Sequence, residues 1–208
     1  MLLPKIYPIT DTRISGISHL EQIKALIAGG ARFIQIRDKG MNSRELFRTI
    51  EECQSLARAH DTTLIVNDRV DIAMALDSDG VHIGQDDLLP GEARILLSHE
   101  KVIGFSTHSV EQAVEAMAIP VDYIAAGPIF HTGSKVDPDP VIGLDGLVEI
   151  RRATGDFPLV AIGGINLENC RAVFSAGADS VAMISGLVSD PSMITARMQK
   201  APEIASKC

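Results

Sequence analysis

Short apolar runs alternate with longer amphipathic segments from one end of the chain to the other. Most of these runs are almost continuously apolar, which is typical of parallel strands that are buried on both faces. The pattern predicts eight strands, at residues 6–10, 33–37, 63–67, 80–84, 102–106, 123–128, 159–162 and 181–184.

The segments between the predicted strands carry apolar residues at helical spacing. They predict helices at residues 19–28, 43–59, 109–117, 144–152 and 167–176, with shorter ones within 70–77, 90–98 and 191–200. Ser43 and Ser109 each precede a first helical turn and are candidate N-caps. Gly29 with Gly30, and Gly177 after Ala176, are expected to end helices just before the next strand.

Eight strand–helix units within 208 residues leave no room for a second domain, so we expect one domain over residues 1–208. Such alternation fits either a closed TIM (β/α)8 barrel or an open doubly wound sheet. The count of eight favours the α/β barrel. Polar groups also follow nearly every strand, whereas an open sheet would concentrate them at one switch point. The long polar segment at residues 130–143 is expected to be an active-site flap.

Composition narrows the class of protein. Hydrophobic residues make up 46% of the chain but aromatic residues only 4%, which predicts an aliphatic core. The net charge of −8 argues against non-specific binding to nucleic acid or to an anionic membrane. No apolar run approaches a membrane span, no export signal begins the chain, and the three cysteines lack metal-binding spacing. We therefore expect a cytoplasmic protein with reduced thiols, for which a homo-oligomer is possible.

Acidic residues follow two neighbouring strands. The third strand ends in Asn67 and Asp68, and the fourth is followed by Gln85, Asp86 and Asp87. Acids at adjacent strand ends predict a shared cation site, and Mg²⁺ is the ion that best suits such carboxylates. The alternatives are that Asp68 caps the helix starting near residue 70, and that one of the last two acids, Asp86 by preference, is merely solvated.

The second strand ends in Gln35-Ile36-Arg37-Asp38-Lys39. Alternation places Gln35, Arg37 and Lys39 on the side that faces the barrel interior and its mouth. Cations in such a position are unfavourable unless an anion binds them, so we expect an anion site here. The alternative is a structural ion pair between Arg37 and an acid such as Asp68.

Three later strand ends also carry candidate ligands. After the sixth strand, Thr132-Gly133-Ser134-Lys135 offers two hydroxyls and an ammonium group that suit a phosphate or diphosphate. Gly163 with Gly164, and Ile184 with Ser185, follow the seventh and eighth strands, where backbone N–H groups form the usual phosphate site of this barrel. The alternatives are a solvated loop lysine and glycines that serve only a tight turn.

After the fifth strand, Ser106 could donate a hydrogen bond to a ligand. His108 could act as a general base, or it could be a histidine at a helix start that is bonded to the backbone. Taken together, the strand ends predict two anionic substrates that meet over one barrel mouth.

The motifs as a set resemble the thiamine-phosphate synthase family. The matching segments span nearly the whole chain in order: residues 7–11, 35–39, 66–68, 82–87, 127–130, 162–165 and 183–185, together with Thr132, Ser134 and Lys135. The resemblance implies a TIM-barrel transferase that uses Mg²⁺ and joins a hydroxymethylpyrimidine diphosphate to a thiazole phosphate, or to its carboxylated form. It implies that diphosphate leaves first and that the thiazole nitrogen captures a pyrimidinylmethyl cation.

The same resemblance implies roles for individual residues. Asp68 and Asp87 match the Mg²⁺ ligands, and the implied catalytic residues are Arg37, Lys39, Lys135 and Ser106. The implied contacts to the pyrimidine diphosphate are Gln35, Ile36, Arg37, Asp38, Lys39, Asn67, Ser106 and Lys135. The implied contacts to the thiazole phosphate are Thr132, Gly133, Ser134, Gly164, Ile184 and Ser185.

The chain departs from the family pattern in the loop after the sixth strand. His131 stands where the family usually has proline, Ser134 stands where it usually has threonine, and the Asp-Pro spacing of residues 135–143 differs. These departures concern the closing geometry of the loop more than the reaction.

Three other functions remain open on the sequence. A thiazole tautomerase of the same fold would use a histidine at the position of His108 and usually lacks the paired acids. A non-catalytic protein that binds the thiazole phosphate would release no diphosphate, and an isomerase of a small sugar phosphate would not explain Asp68 with Asp87.

Overall fold

The computed structural model describes residues 3–134 and 139–205. Eight parallel strands form a closed barrel in chain order, with β8 paired to β1. The strands are β1 (Ile6–Thr10), β2 (Phe33–Ile36), β3 (Thr63–Asn67), β4 (Gly80–Ile83), β5 (Val102–Thr107), β6 (Tyr123–Ala126), β7 (Leu159–Ile162) and β8 (Ser180–Met183). The predicted TIM barrel is confirmed, and no strand end differs from its predicted position by more than two residues.

Helices connect successive strands on the outside of the barrel. They are α1 (Thr12–Ser15), α2 (His19–Ala28), α3 (Ser43–Arg58), α4 (Val70–Ala75), α5 (Pro90–Leu97), α6 (Val110–Ala116), α7 (Gly143–Thr154), α8 (Cys170–Ser175), α9 (Ser185–Val188) and α10 (Ile194–Ala205). A 3-10 turn at Pro191–Met193 leads into α10. Helices α1 and α9 were not predicted, because four residues are too few to show a helical period.

The N-cap of α3 and the start of α8 differ from their predicted positions. Ser43 is the first residue of α3, and the N-cap is Asn42, whose side-chain oxygen accepts hydrogen bonds from Arg44 N and Glu45 N at 3.1 Å each. Helix α8 begins three residues later than predicted, because Asn166 first caps a separate turn through hydrogen bonds from residues 168 and 169. The N-cap predicted at Ser109 is confirmed by its hydrogen bond from Gln112 N at 3.2 Å.

The barrel has two cores, because successive residues of each strand face opposite sides of the sheet. Aliphatic residues such as Ile34, Ile36 and Val66 pack outward against the helices. A smaller inner layer fills the barrel and contains Tyr7, Ile9, Phe33, Ile65, Tyr123, Ala125, Val160 and Ala182. Toward the carboxyl ends of the strands the inward positions become polar, and there the barrel opens into a cavity.

Aspartate side chains stabilise the opposite, amino-terminal end of the barrel. An aspartate just before β4, β6 and β8 accepts a hydrogen bond from a backbone N–H at the start of the preceding strand. The pairs are Asp79 with Leu64 at 2.7 Å, Asp122 with Ile103 at 2.7 Å, and Asp179 with Leu159 at 2.9 Å. Arg94 and Arg151 hold the carboxylates of Asp122 and Asp179 at 2.7 and 2.5 Å.

Within the described ranges, none of the helices combines the length and apolar character needed to cross a membrane.

Two buried serines of the barrel predict opposite effects of the same substitution. Within the described part of the chain, Ser180 Oγ is the only buried side-chain polar atom without a hydrogen-bond partner. We expect Ser180→Ala to leave the free energy of unfolding unchanged or to raise it, because no hydrogen bond is lost. In the matched control Ser78→Ala, Gln54 Oε1 loses a hydrogen bond of 2.7 Å, at a cost of about 1–2 kcal/mol. Denaturant titration of both variants measures the difference, and equal losses would contradict the assignment.

Candidate active site

A cavity of about 470 Å³ lies at the carboxyl ends of the strands. Its volume suits a small organic ligand. Twelve of the predicted site residues line it: Gln35, Arg37, Lys39, Asn67, Asp68, Asp87, Ser106, Thr132, Ser134, Gly164, Ile184 and Ser185. Residues that are far apart in the sequence therefore meet in one place, although their roles stay predictions.

The acids after β3 and β4 lie in contact. The carboxyl groups of Asp68 and Asp87 lie close enough to share a hydrogen bond when one of them is protonated, and Asp87 Oδ2 accepts a hydrogen bond from Gly84 N at 2.7 Å. Burial raises the pKa of Asp87, the bond from Gly84 lowers it, and the charge of Asp68 raises it further. Lys39 forms an ion pair with Asp68. Asp86 is exposed at the cavity rim.

The conformation of Asp68 is set by the chain reversal at the end of β3. Its φ of 62° lies in the left-handed region, which aspartate tolerates better than most residues. Its N–H donates to the His82 carbonyl oxygen at 2.8 Å, which ties the turn to β4. Helix α4 has no side-chain cap, and its N-cap position is Arg69. The alternative that Asp68 caps this helix is therefore wrong.

The acid pair fits a magnesium site that is completed by a ligand. In the ranges 3–134 and 139–205, no group of three or more His, Cys, Asp and Glu side chains is arranged to hold a metal ion by itself. Mg²⁺ is commonly bound by one or two protein carboxylates together with waters and substrate phosphates. Two touching carboxylates, one of which has a raised pKa, are a donor set of that kind.

Arg37 is held by an acid that had no assigned role in the sequence. Its Nη1 donates to Asp11 Oδ2 at 2.8 Å, and Asp11 Oδ1 accepts hydrogen bonds from Arg13 N and Ile14 N at the start of α1. The alternative of a structural ion pair for Arg37 is confirmed, but the acid is Asp11 and not the suggested Asp68, which pairs with Lys39. Arg37 nevertheless lines the cavity, so its predicted contact with an anion stays open.

Three predicted contact residues lie outside the lining of the cavity. Ile36 packs in the outer core, and Gly133 does not line the cavity. The Asp38 carboxylate accepts hydrogen bonds from Gly40 N, Met41 N, Thr12 and His19. Burial raises the pKa of Asp38, but these hydrogen bonds outweigh burial and lower the pKa to about 2. Contacts of Ile36 or Asp38 with a ligand in the cavity would have to come from the backbone. Lys135 lies outside the described residues.

Between β6 and α7 the described residues are 127–134 and 139–142, so residues 135–138 of the predicted flap lie outside the described residues; Thr132, Ser134 and Asp139 line the cavity. The Ser134 carbonyl oxygen accepts a hydrogen bond from Arg37 Nη2 at 3.3 Å, and an Asp139 carboxylate oxygen lies 3.4 Å from His108 Nε2. His108 Nδ1 lies 2.6 Å from the Gly127 carbonyl oxygen and donates to it. The backbone-bonded alternative for His108 is confirmed, and the histidine also lines the cavity. Ser134 and Asp139 therefore contact residues that follow β2 and β5, respectively.

The glycines after β7 are required by close packing. Gly163 has φ of 104° and Gly164 has φ of 63°. A Cβ at Gly163 would lie 2.5 Å from Pro128 Cβ, and one at Gly164 would lie 2.5 Å from the His131 carbonyl oxygen. The tight-turn alternative is thus supported for both glycines. The same turn places Gly164 in the cavity lining beside Ile184 and Ser185, as a phosphate site at this position would need.

A chain of hydrogen-bonded side chains lies under the cavity and was not predicted. Gln35 Nε2 donates to the Tyr7 hydroxyl at 2.9 Å, and that hydroxyl lies 3.0 Å from the Tyr123 hydroxyl. The Tyr123 hydroxyl lies 3.0 Å from His82 Nδ1, and His82 Nε2 lies 2.9 Å from Ser106 Oγ. A sequence signal existed, because the only two tyrosines of the chain occupy inward strand positions.

The fold and the cavity together define the class of protein. A closed (β/α)8 barrel with a polar cavity at the carboxyl ends of its strands has the usual location of a TIM-barrel active site. A family model described as thiamine monophosphate synthase matches residues 6–187. The chain belongs to this family.

Individual relatives match almost the whole chain. The thiamine-phosphate synthase of Koribacter versatilis is 46% identical over 196 residues, which cover 91% of this chain and 91% of that protein. The thiamine-phosphate synthase of Methanospirillum hungatei is 44% identical over 192 residues, covering 92% and 93%. The solved structure of thiamine phosphate pyrophosphorylase from Pyrococcus furiosus has a TM-score of 0.86 and 35% identity, covering 98% of this chain and 96% of that one.

The buried histidine under the cavity predicts a dependence of stability on pH. Burial lowers the pKa of His82 from 6.5 to about 4. As the pH falls below about 6.5, the unfolded chain binds a proton that the folded chain does not, so stability decreases until the pH reaches about 4. We expect His82→Gln to reduce the slope of unfolding free energy against pH in this window. Denaturant titrations between pH 4 and 7 measure it, and an unchanged slope would contradict the neutral, buried state of His82.

Proposed function

We propose that this chain is a thiamine-phosphate synthase. This transferase joins 4-amino-2-methyl-5-(diphosphooxymethyl)pyrimidine to 4-methyl-5-(2-phosphooxyethyl)thiazole, or to its carboxylated form, and releases diphosphate. Family membership and the names of the relatives support the reaction. The observation that carries the proposal is the contact between Asp68 and Asp87 in a cavity that Arg37 and Lys39 also line.

The charges at the cavity explain why a diphosphate would need a metal ion. Arg37 and Lys39 supply two positive charges, whereas Asp11, Asp68 and Asp87 supply three negative charges when ionised. Each cation is already paired with a carboxylate, so these five groups alone do not attract a further anion. We therefore propose that Asp68 and Asp87 hold Mg²⁺, which would neutralise the charge that develops on the departing diphosphate.

The cations have a complementary role in this proposal. Arg37 is fixed by Asp11 at 2.8 Å, so its guanidinium group is oriented before a ligand arrives. Lys39 has a flexible stem, half of its side chain is exposed, and its ammonium group can turn from Asp68 toward diphosphate oxygens. Lys135 is proposed as a further diphosphate contact on the resemblance alone. Together these groups would stabilise the oxygen from which carbon separates.

The second substrate would be held by the other half of the cavity. Gly164, Ile184 and Ser185 follow β7 and β8, and Thr132 and Ser134 follow β6. We propose that they bind the thiazole phosphate. The ring nitrogen would then lie close to the pyrimidinylmethyl carbon, so that capture of the cation needs positioning and no side-chain nucleophile.

The rival functions have less support. The relatives that match over 91% and 92% of the chain are named thiamine-phosphate synthase, which favours the synthase over the tautomerase. His108 Nδ1 is engaged by a carbonyl oxygen and Nε2 faces Asp139, so both ring nitrogens already have partners. A protein that only binds a thiazole phosphate would gain nothing from two touching carboxylates.

We also propose a cytoplasmic location. The described cysteines, Cys53 and Cys170, are both buried free thiols, as expected in a reducing compartment. A homo-oligomer stays a prediction.

A diphosphate-release assay with both substrates, with and without Mg²⁺, tests the function. We expect release only when the pyrimidine diphosphate, the thiazole phosphate and Mg²⁺ are all present, with formation of thiamine phosphate in equal amount. Thiazole aromatisation without Mg²⁺ would favour the tautomerase. Binding of the thiazole phosphate without any diphosphate release would favour the binding protein.

Variants of two neighbouring aspartates distinguish a metal ligand from a carboxylate that acts only through its charge. We expect Asp87→Asn to lower kcat at saturating Mg²⁺ by about 100-fold or more, because leaving-group stabilisation is lost. The fold should persist, since asparagine can still accept the Gly84 hydrogen bond and relieves the repulsion from Asp68.

The matched control is Asp86→Asn, which removes the same charge one residue away. It should have a much smaller effect, because Asp86 is exposed at the rim. Equal activity of the Asp87→Asn variant and the unaltered chain would remove the metal assignment.

A further inference from the structure

The hydrogen-bonded side chains under the cavity carry more polar hydrogens than there are hydrogen bonds between them. Burial raises the pKa values of Tyr7 and Tyr123, so both phenols keep their hydrogens, and the neutral ring of His82 carries one. With the hydroxyl of Ser106, these four groups hold four hydrogens. Only three links join Tyr7 to Ser106. One hydrogen is therefore not donated within this group of four side chains.

The Gln35 end determines which hydrogen is left over. The Gln35 amide nitrogen can only donate, so the Tyr7 oxygen accepts there at 2.9 Å. Tyr7 then donates to Tyr123, Tyr123 donates to His82 Nδ1, and His82 Nε2 donates to Ser106. In any other arrangement a phenol hydrogen is buried without an acceptor, which is unfavourable. The remaining hydrogen is that of Ser106, which lines the cavity.

Tight packing holds this arrangement in place. The His82 and Tyr123 rings are stacked, with centroids 5.6 Å apart and an interplanar angle of 21°. Gly104 makes room for them on β5, because a Cβ there would lie 2.1 Å from Tyr123 Cζ and 2.5 Å from His82 Nδ1. On the far side of Ser106, Gln85 Nε2 donates to its carbonyl oxygen at 2.6 Å. Both the backbone and the hydroxyl oxygen of Ser106 are thus fixed.

We propose that Tyr123 and His82 are positioning residues that fix Ser106 as a hydrogen-bond donor toward the departing oxygen of the pyrimidine diphosphate. This inference rests on the proposed function and names a task for two residues that do not themselves carry the leaving group. Because His82 Nε2 donates to the Ser106 oxygen, the Ser106 hydrogen is not shared with His82 and is free to be donated to a substrate in the cavity. A donor fixed before the reaction stabilises the charge that develops there without further reorganisation.

The direction of the hydrogen bond matters for this reaction. A donor to the leaving oxygen favours separation of diphosphate, because that oxygen gains negative charge. A donor to a ring nitrogen would withdraw electron density from the cation that forms and would slow the same step. The proposal therefore predicts losses in kcat with little change in KM, whereas a contact that only binds the ring predicts the reverse.

Two tyrosine variants of the 208-residue protein distinguish a positioning role from a general loss of buried hydrogen bonds. In Tyr123→Phe, His82 Nδ1 loses its donor, so the ring can carry its hydrogen on Nδ1 and accept the hydrogen of Ser106 at Nε2. We expect kcat to fall about 10-fold or more, with KM for the pyrimidine diphosphate changed less than about threefold. In Tyr7→Phe the link from Tyr123 to His82 remains, so we expect a clearly smaller loss.

A double-mutant cycle tests whether Tyr123 acts through Ser106. We expect Ser106→Ala to lower kcat about 100-fold, and Tyr123→Phe to add less than about twofold in the Ser106→Ala background. The proposal would be overturned if the effects of Ser106→Ala and Tyr123→Phe on kcat multiplied in the double variant, or if only KM changed. It would also be overturned if kcat fell more in Tyr7→Phe than in Tyr123→Phe.

An NMR measurement tests the arrangement independently of activity. In the ¹⁵N-histidine-labelled chain, with the signal assigned through His82→Gln, we expect the neutral tautomer with hydrogen on Nε2. The Nδ1–H tautomer in the unaltered chain would overturn the proposal, even if Tyr123→Phe fails to fold. If the unaltered chain released no diphosphate at all, the proposed function would fail, and the tautomer would still decide the direction of the hydrogen-bond chain.

Discussion

Closure of the barrel is the constraint on which the other features depend. Once eight strands pair in a ring, every second residue of each strand faces the same narrow interior. The inner layer is apolar in its lower part, and near the carboxyl ends it contains Gln35, Asn67, His82 and Ser106. These side chains meet without any local sequence relation. The outer face needs only aliphatic residues that pack against helices, and the sequence supplies them almost without exception.

At this cavity, one contact between two acids is combined with two ion pairs. Asp68 and Asp87 touch although they repel each other, and Lys39 offsets only one of them. Arg37 is tied to Asp11, which in turn caps α1, so a short helix with little stability of its own orients a cation at the cavity. Such arrangements stabilise the empty protein poorly. They become favourable when an anion and a divalent cation enter together.

The sequence predicted the barrel and most of the cavity lining, because both follow from strand periodicity and from residues placed at strand ends. It could not predict partners that only ring closure brings together. The pairing of Arg37 with Asp11 joins β2 to the segment after β1, and Tyr123 reaches His82 from two strands away. Local ambiguity explains the error at α3, where Asn42 and Ser43 are adjacent and both can cap. The predicted ligand contact of Ile36 could have been questioned from the sequence, because the alternation along β2 already places this side chain outside the barrel.

The aspartates before β4, β6 and β8 lie at the end of the barrel remote from the cavity. They recur before three alternate strands, and the rim around the cavity has no such repeated contact among the described residues. The loops around the cavity can therefore change in sequence without loss of the aspartate contacts at the amino-terminal end of the barrel. Grafting of foreign loops onto this scaffold would therefore be tolerated best where those carboxylate anchors are kept.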